Sequence, residues 1–165
     1  MPELSPAYTE AREALLATQP VTSEAEASEA PPLVYGVVID IGFNPLFTVG
    51  VFADGTTSAY DANGGSITGL GNVTEMQLLG QGILNAVEAS MSSFRPVDAT
   101  PLPAFGRVRF TLLTHDGRLG VDADGAALLK GQHPLSKAFT AVMGIMEQAR
   151  HMPAAPDAAP PTPSN

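Results

Sequence analysis

The side chains that could carry out chemistry are few in this sequence and lie far apart. There is no cysteine, which excludes disulfides, thiolate nucleophiles and cysteine-bound zinc. The three histidines, His115, His133 and His151, are too widely spaced to form a local metal cluster. The sequence therefore predicts no metal site and no cofactor.

A short acidic stretch, Asp122-Ala123-Asp124-Gly125, resembles part of a calcium-binding loop. In that register Gly120 takes the position of the first ligand and Gly131 the position of the bidentate glutamate that such a loop requires. We interpret the stretch as a turn with two solvated acids.

A glycine-rich stretch, NGGSITGLG (63–71), precedes a predicted helix, and helix N-termini are places where anions bind. It lacks both the Gly-Lys-Ser/Thr ending of phosphate-binding loops and the spacing of the dinucleotide motif. The simpler interpretation is a strand-to-helix connection with Asn72 or Thr74 as the cap. The alternative is a small-molecule pocket, for which the candidate binding residues are Gly64, Gly65, Ser66, Gly69 and Gly71.

Three further polar residues are candidates for a site. Asp40 ends an otherwise apolar strand, so its carboxylate could be buried and functional, although capping the following Gly42–Asn44 turn is the commoner role. His115 and Asp116 share a predicted turn. No G-x-S-x-G nucleophile motif is present, so the sequence predicts no catalytic residue.

The elements that would position these residues form an α+β pattern. β-Branched and apolar runs bounded by turns predict five strands, at 33–40, 46–53, 56–62, 107–114 and 118–123. Helical spacing predicts two amphipathic helices, from about Val73 to Phe94 and from Pro134 to about Met152. Short connections favour an antiparallel sheet whose apolar face these helices cover. We expect a single α+β domain over residues 33–152.

Glycines mark the turns of this pattern. Asp54-Gly55 and Asp124-Gly125 each predict a tight turn after a strand. Gly80 and Gly82 would weaken the first predicted helix but would let another backbone approach it closely.

The two flanks of the domain differ from it in composition. Within residues 1–32, Ser5 as N-cap and Pro6 at the first position predict a short helix, which docks on the domain, docks on a partner or frays. Its apolar stripe comprises Tyr8, Ala11, Leu15 and Leu16. Residues 19–32 have one large apolar side chain and predict a disordered acidic linker. Residues 153–165 predict a disordered tail rich in proline and alanine.

Charge and hydropathy limit the partners. The formal net charge is −9, and more than half of the excess lies in residues 1–32. Such a chain is repelled by nucleic-acid phosphates and by anionic lipids, so we expect neither nucleic acid nor a membrane as partner. No secretory signal and no apolar run approaching 18 residues is present, which favours a cytoplasmic location.

Two resemblances arise from these elements. The runs VFADGTTSAY, GGSITG, RVRFTLLTHDG and QHPLS, within residues 33–152, resemble a small bacterial domain family with no assigned activity, a resemblance that implies no functional residue. The element order is similar to that of profilin-like and roadblock-type domains. The latter resemblance implies a profilin-like or roadblock-like sandwich and, often, a dimeric adaptor.

Together these features favour a non-enzymatic protein-interaction or adaptor module that forms a homodimer. The support is the absence of catalytic motifs, the predicted flexible flanks and the methionines on the helix stripes, for which ordinary core packing is the competing interpretation. These methionines are Met76, Met91, Met143 and Met146. The alternatives are a regulatory domain that binds a small molecule at 63–71, an enzyme of unfamiliar type using Asp40, His115 or Asp116, and an acidic immunity-type protein.

Overall fold

The structure, a computed structural model, describes residues 4–18, 34–43, 46–67, 69–70, 73–114 and 117–151 of the 165-residue chain, with the side chains of 149–151 excepted. The predicted linker at 19–32, the predicted tail at 153–165 and the candidates Gly71, His115 and Asp116 lie outside the described residues.

The described strands form one antiparallel sheet of seven strands. They are β1 (Val34–Ile41), β2 (Phe47–Phe52), β3 (Thr57–Asp61), β4 (Ser66–Ile67), β5 (Arg95–Pro96), β6 (Arg107–Thr114) and β7 (Gly117–Asp124). Their order across the sheet is β4-β3-β2-β1-β6-β7-β5. The α+β class, the antiparallel sheet and all five predicted strands are confirmed. The predicted strand number is wrong, because β4 and β5 are two-residue edge strands that carry no hydrophobic pattern.

Four helices accompany the sheet: α1 (Pro6–Leu16), α2 (Thr74–Ala89), α3 (Gly125–Leu129) and α4 (Ser136–His151). The two predicted amphipathic helices correspond to α2 and α4. The first ends earlier than predicted, and a 3-10 turn at Met91–Ser93 carries the chain on to the buried side chain of Phe94. The turn predicted at Asp124-Gly125 is instead the start of α3, since the Asp124 carboxylate accepts from the backbone N–H of Ala127 at 3.2 Å.

Helices α2 and α4 cover one face of the sheet, which we call the core face. Every second residue of a strand points to this side, and these residues are mostly apolar, with the buried Thr57 as a polar exception. Val37, Val49 and Phe110 from the central strands join the buried residues of α2 and α4 in one cluster. Met76 and Met146 are buried in it and Met91 and Met143 pack against it, so all four methionines serve core packing.

Gly80 brings α2 close to the sheet. A Cβ at this position would lie 3.2 Å from Cγ1 of Val51, closer than an ordinary van der Waals contact, so a larger side chain would require Val51 or the helix to shift. Gly82 is exposed, and a Cβ there would have no neighbour within 4 Å. Gly80 is thus closely approached, by side chains of the sheet and not by a backbone as predicted, and the predicted approach is wrong for Gly82.

Helix α1 covers part of the opposite face, which we call the α1 face. Leu15 and Leu16 pack there against Val38, Phe52 and Leu113. Gly50 leaves room for this contact, since a Cβ on it would lie 2.7 Å from a Leu15 methyl carbon. The chain between β5 and β6 also crosses this face, where the side chain of Leu102 packs against the cluster of Tyr8. The sheet is thus the middle layer of three.

Candidate functional site

Polar side chains form a row across the α1 face. The strand register pairs Asp40 of β1 with Thr48 of β2 on one side and with Arg109 of β6 on the other. Arg109 is in turn paired with Asp122 of β7. Because directly opposed residues of antiparallel strands point to the same face, four polar side chains from four neighbouring strands lie side by side under α1 and the β5–β6 crossover.

Asp40 is the centre of this row and is fully buried, with 0% of its surface exposed. Its carboxylate accepts from Arg12 Nε and Arg12 Nη2, both at 2.9 Å, in a bidentate pair. The Thr48 hydroxyl donates to Asp40 Oδ1 at 2.6 Å. A buried carboxylate is costly unless it is paired and hydrogen-bonded, and here three donors meet that requirement. The backbone N–H groups of Gly42 and Phe43 donate to the carbonyls of Arg107 and Ile41 and not to Asp40, while Asn44, the last residue of the predicted turn, lies outside the described residues.

Arg12 joins the sheet to two other parts of the molecule. It projects from α1, and its side chain is 12% exposed. Besides binding Asp40, its Nη2 donates to the backbone carbonyl of Thr100 in the β5–β6 crossover at 2.6 Å. Burial lowers the pKa of the Arg12 guanidinium, but the hydrogen bond and the charge of Asp40 outweigh that effect and raise the pKa above its ordinary value. The guanidinium is therefore charged at every physiological pH.

Tyr8, one turn before Arg12 on α1, extends the network. Its hydroxyl lies 2.6 Å from the Thr48 hydroxyl. The single hydroxyl proton of Thr48 is already donated to Asp40, so Tyr8 is the donor to Thr48. Burial raises the pKa of the Tyr8 phenol, as does the charge of Asp40, against the opposing effects of Thr48 and Arg12. The phenol stays neutral and keeps its donor role.

The sheet domain also holds both ends of α1. The backbone N–H of Ser5 donates to the carbonyl of Ala62 at 2.8 Å. At the other end, Arg118 Nη2 donates to the Leu16 carbonyl at 2.9 Å, and the Tyr35 hydroxyl donates to the Thr18 carbonyl at 3.1 Å. Ser5 stands at the N-cap position as predicted, but its side chain makes no capping hydrogen bond.

A second, more exposed ion pair continues the row. Arg107 Nε donates to Asp122 Oδ1, and Arg109 Nη2 lies 3.4 Å from Asp122 Oδ2. Within the described part of the chain, two buried polar atoms on β6 have no hydrogen-bond partner, Arg109 Nε and Thr111 Oγ1. On the α1 face, the hydrogen-bonding capacity of Asp40 is therefore met, whereas two buried polar atoms on the adjacent strand β6 lack partners among the described residues.

The glycine-rich stretch lies elsewhere, at the β3–β4 turn. The Asp61 carboxylate accepts from the backbone N–H groups of Asn63 at 2.8 Å and Gly65 at 3.1 Å. Gly64 and Gly69 have positive φ, and Ser66 is exposed on the edge strand β4. Two of the amide donors that would face an anion thus already bind a carboxylate of the chain. The small-molecule pocket at 64–71 stays a prediction.

Helix α2 and the β2–β3 turn enclose a small cavity. It holds about 20 Å³ and is lined in part by Phe52, Thr57 and Gly80, which is room for one water molecule. Among the described residues, no three His, Asp or Glu side chains are grouped as metal ligands would be. None of the described helices has both the length and the apolar character needed to cross a membrane.

The network around Asp40 leaves this carboxylate no exposed position for a substrate. A general base must reach a substrate proton within hydrogen-bond distance. Asp40 has no exposed surface, and three protein donors already occupy its carboxylate. What the arrangement does is hold a helix that carries an arginine.

Sequence reasoning singled out Asp40 for burial and missed Tyr8, Arg12, Thr48 and Arg109. One signal was available, since Arg12 is the only base among residues 1–32. The alternation of Arg107, Arg109 and Thr111 with apolar neighbours in RVRFTLLT was another.

Comparison with known proteins returns no match. No family model, no curated protein and no solved structure matches this chain. The resemblances to an uncharacterised bacterial family and to profilin-like and roadblock-type domains stay predictions.

Proposed function

We propose that this chain is a non-enzymatic interaction module whose recognition surface is the α1 face of the sheet. The observation that carries the proposal is the bidentate Arg12–Asp40 pair, in which a fully buried carboxylate of the sheet binds an arginine from a helix. The partner is an amphipathic helix that presents the same side chains as α1. Such a helix competes with α1 for one surface.

The helix contributes four anchors on one side. Tyr8, Arg12, Leu15 and Leu16 follow the i, i+4, i+7, i+8 spacing by which a helix lays one face into a groove. Each of them meets a complementary element of the sheet, a hydroxyl, a carboxylate or an apolar cluster. The surface therefore distinguishes a helix by its order of side chains.

The helix depends on the surface for its own stability. With 11 residues, α1 is shorter than the 12–15 residues at which isolated helices become even marginally stable. Its Ser5 side chain adds no cap. Because α1 is helical only when it is bound to the sheet, it behaves as a peptide ligand that is covalently attached to its receptor.

The two halves of the ion pair allow a test with opposite outcomes. A fluorescent peptide of residues 4–18 is titrated into the full chain and its Arg12→Ala and Asp40→Asn variants, with anisotropy as the readout. Arg12→Ala weakens the chain's own helix and leaves the surface intact, so the peptide should bind this variant most tightly. Asp40→Asn damages the surface itself, and its affinity should be lower by roughly 30-fold or more, since truncating a buried charge partner costs 2–5 kcal/mol.

A peptide with its own Arg12→Ala change is the matched control and should bind no variant tightly. The wild-type chain should bind the intact peptide weakly, because a tethered competitor acts at an effective concentration of about 1 mM. Equal behaviour of the two chain variants would show that the pair is only a structural contact, and the proposal would then fail. Circular dichroism of each variant verifies that the sheet has kept its fold.

The homodimeric, profilin-like or roadblock-type adaptor is the finer form of this proposal. It is supported by the three-layer arrangement and by a recognition surface that fits a segment of the same chain. A cytoplasmic location agrees with it.

A further inference from the structure

We infer that the partner helix is α1 of a second copy, so that two chains exchange their first helices and form a closed homodimer. The inference rests on the proposed function, because it needs the α1 face to bind a helix that is not its own. It adds the identity of the partner. Every copy carries both a helix α1 and an α1 face. In a reciprocal exchange each helix binds the face of the other copy, so no face is left uncovered and the dimer is closed by two-fold symmetry.

The described contacts that hold α1 are made with the sheet domain. Its polar anchors bind Asp40 and Thr48, and its ends are held by the carbonyl of Ala62 and the side chains of Arg118 and Tyr35. All of these groups lie in residues 34–124. A second copy offers the same groups in the same places, so the exchanged contact reproduces the one observed.

The chain between helix and sheet is long enough for exchange. Residues 19–33 separate Thr18 from Val34, and fifteen residues span up to roughly 50 Å when extended. Within one copy the distance to be bridged is short, because the Thr18 carbonyl lies 3.1 Å from the Tyr35 hydroxyl. The connection thus allows α1 to bind the sheet of its own chain or the sheet of a second copy, and the length of the connection sets the balance between the two.

Complementation between two damaged chains tests the exchange directly. The Arg12→Ala chain has an intact surface and a defective helix, whereas the Asp40→Asn chain has an intact helix and a defective surface. Each alone should be monomeric at 17.1 kDa by light scattering. An equimolar mixture should form a heterodimer of twice that mass, because the helix of the Asp40→Asn chain binds the surface of the Arg12→Ala chain.

Shortening the connection provides a second measurement. Deleting residues 21–30 leaves Gln-Pro-Pro-Pro-Leu between helix and sheet, a stiff tether of about 3.1 Å per residue that cannot fold back on itself. This variant should be a homodimer at micromolar concentration. Replacing the same ten residues with ten Gly and Ser residues keeps the length and should leave the monomer–dimer equilibrium of the wild type unchanged, and adding Arg12→Ala to the deletion should abolish its dimer.

The outcomes separate this inference from the proposed function. If the peptide of residues 4–18 binds the Arg12→Ala chain but the mixture of variants stays monomeric at 100 µM, the surface binds helices and the exchange between copies is refuted. If the deletion variant stays monomeric and folded, the exchange is refuted as well. A heterodimer in the mixture that the Arg12→Ala change in both chains removes establishes it.

Discussion

The two faces of the sheet are built on different principles. The core face is a continuous apolar cluster of central strands packed against α2 and α4, in which the buried threonine Thr57 lies close to Gly80. The α1 face has two small apolar clusters separated by a row of charges. Apolar packing is non-directional and supplies most of the free energy of folding. Buried ion pairs add little net stability, but they form only when the two charged groups have one relative geometry. Under the proposed function, one face maintains the fold and the other selects the ligand.

The largest expected effect is on the core face. Phe110 is fully buried on β6, and Phe110→Ala should lower the free energy of unfolding by about 3–5 kcal/mol through lost transfer energy and a cavity. Since native domains are stable by only about 5–15 kcal/mol, the whole sheet should unfold at lower urea. Urea denaturation followed by circular dichroism measures it.

Leu15→Ala is the matched change on the α1 face. Its cost is limited to the free energy that binds α1, because the helix can leave and the sheet can remain. Hydrogen exchange should become fast in residues 6–16 and stay slow in β1 and β6. If Leu15→Ala lowers the urea midpoint of the sheet as much as Phe110→Ala does, the two faces form one cooperative unit and the contrast between them is wrong.

A smaller change in the free energy of unfolding is expected when pH is raised, and the part that depends on Tyr8 reports on the α1 face. The pKa of Tyr8 is raised above its ordinary value of 10.0, first by burial. A raised pKa in the folded state means that the stabilisation is complete below pH 10 and is lost as pH rises through the folded value. The free energy of unfolding of the wild type should therefore fall more steeply above pH 10 than that of Tyr8→Phe, by up to about 1.4 kcal/mol per pH unit.

Urea denaturation between pH 7 and 11.5 measures this difference. Tyr8→Phe should be the less stable protein at pH 7, because it loses a donor to Thr48, and the gap should narrow above pH 10. Parallel curves for the two proteins would mean that the Tyr8 phenol ionises as freely in the folded chain as in the unfolded one.

The sheet was predictable from sequence to the extent that its pattern is local. The five long strands and the helices α2 and α4 follow from apolar periodicity and turn glycines such as Gly55, whose φ is +94°. The strands β4 and β5 were not predictable, since two residues carry no period. Asp40 could be marked as unusual because it interrupts an apolar run.

The partner of Asp40 could not be predicted, for a physical reason. Arg12 lies 28 positions away, beyond a segment with no periodicity, and nothing local determines which carboxylate a lone arginine binds. The register that places Arg109 opposite Asp40 depends on β6 pairing with β1 after four intervening strands and a helix. Long-range pairing of this kind is a property of the assembled sheet, so the site emerges only from the fold.

The smallest expected effect is that of a change at Thr111, which is compared with Thr48, a second threonine of the α1 face that is alike in burial and differs in bonding. Thr111 and Thr48 both have 0% of their surface exposed. The Thr111 hydroxyl has no partner, whereas the Thr48 hydroxyl donates to Asp40 and lies within hydrogen-bond distance of the Tyr8 hydroxyl. Valine has the same shape as threonine without the hydroxyl, so the two substitutions isolate the effect of that group.

Thr111→Val should raise the free energy of unfolding by up to about 1 kcal/mol, because it removes a buried polar group that has no bond to lose. Thr48→Val should lower it by about 1–3 kcal/mol and should also weaken binding of the peptide of residues 4–18, since it removes support from Asp40. If Thr111→Val is instead destabilising, its hydroxyl binds a water or a partner group on the α1 face, and the unsatisfied Arg109 Nε beside it is the atom to test next. A stabilising Thr111→Val together with unchanged peptide affinity would restrict recognition to the Tyr8–Thr48–Asp40–Arg12 network.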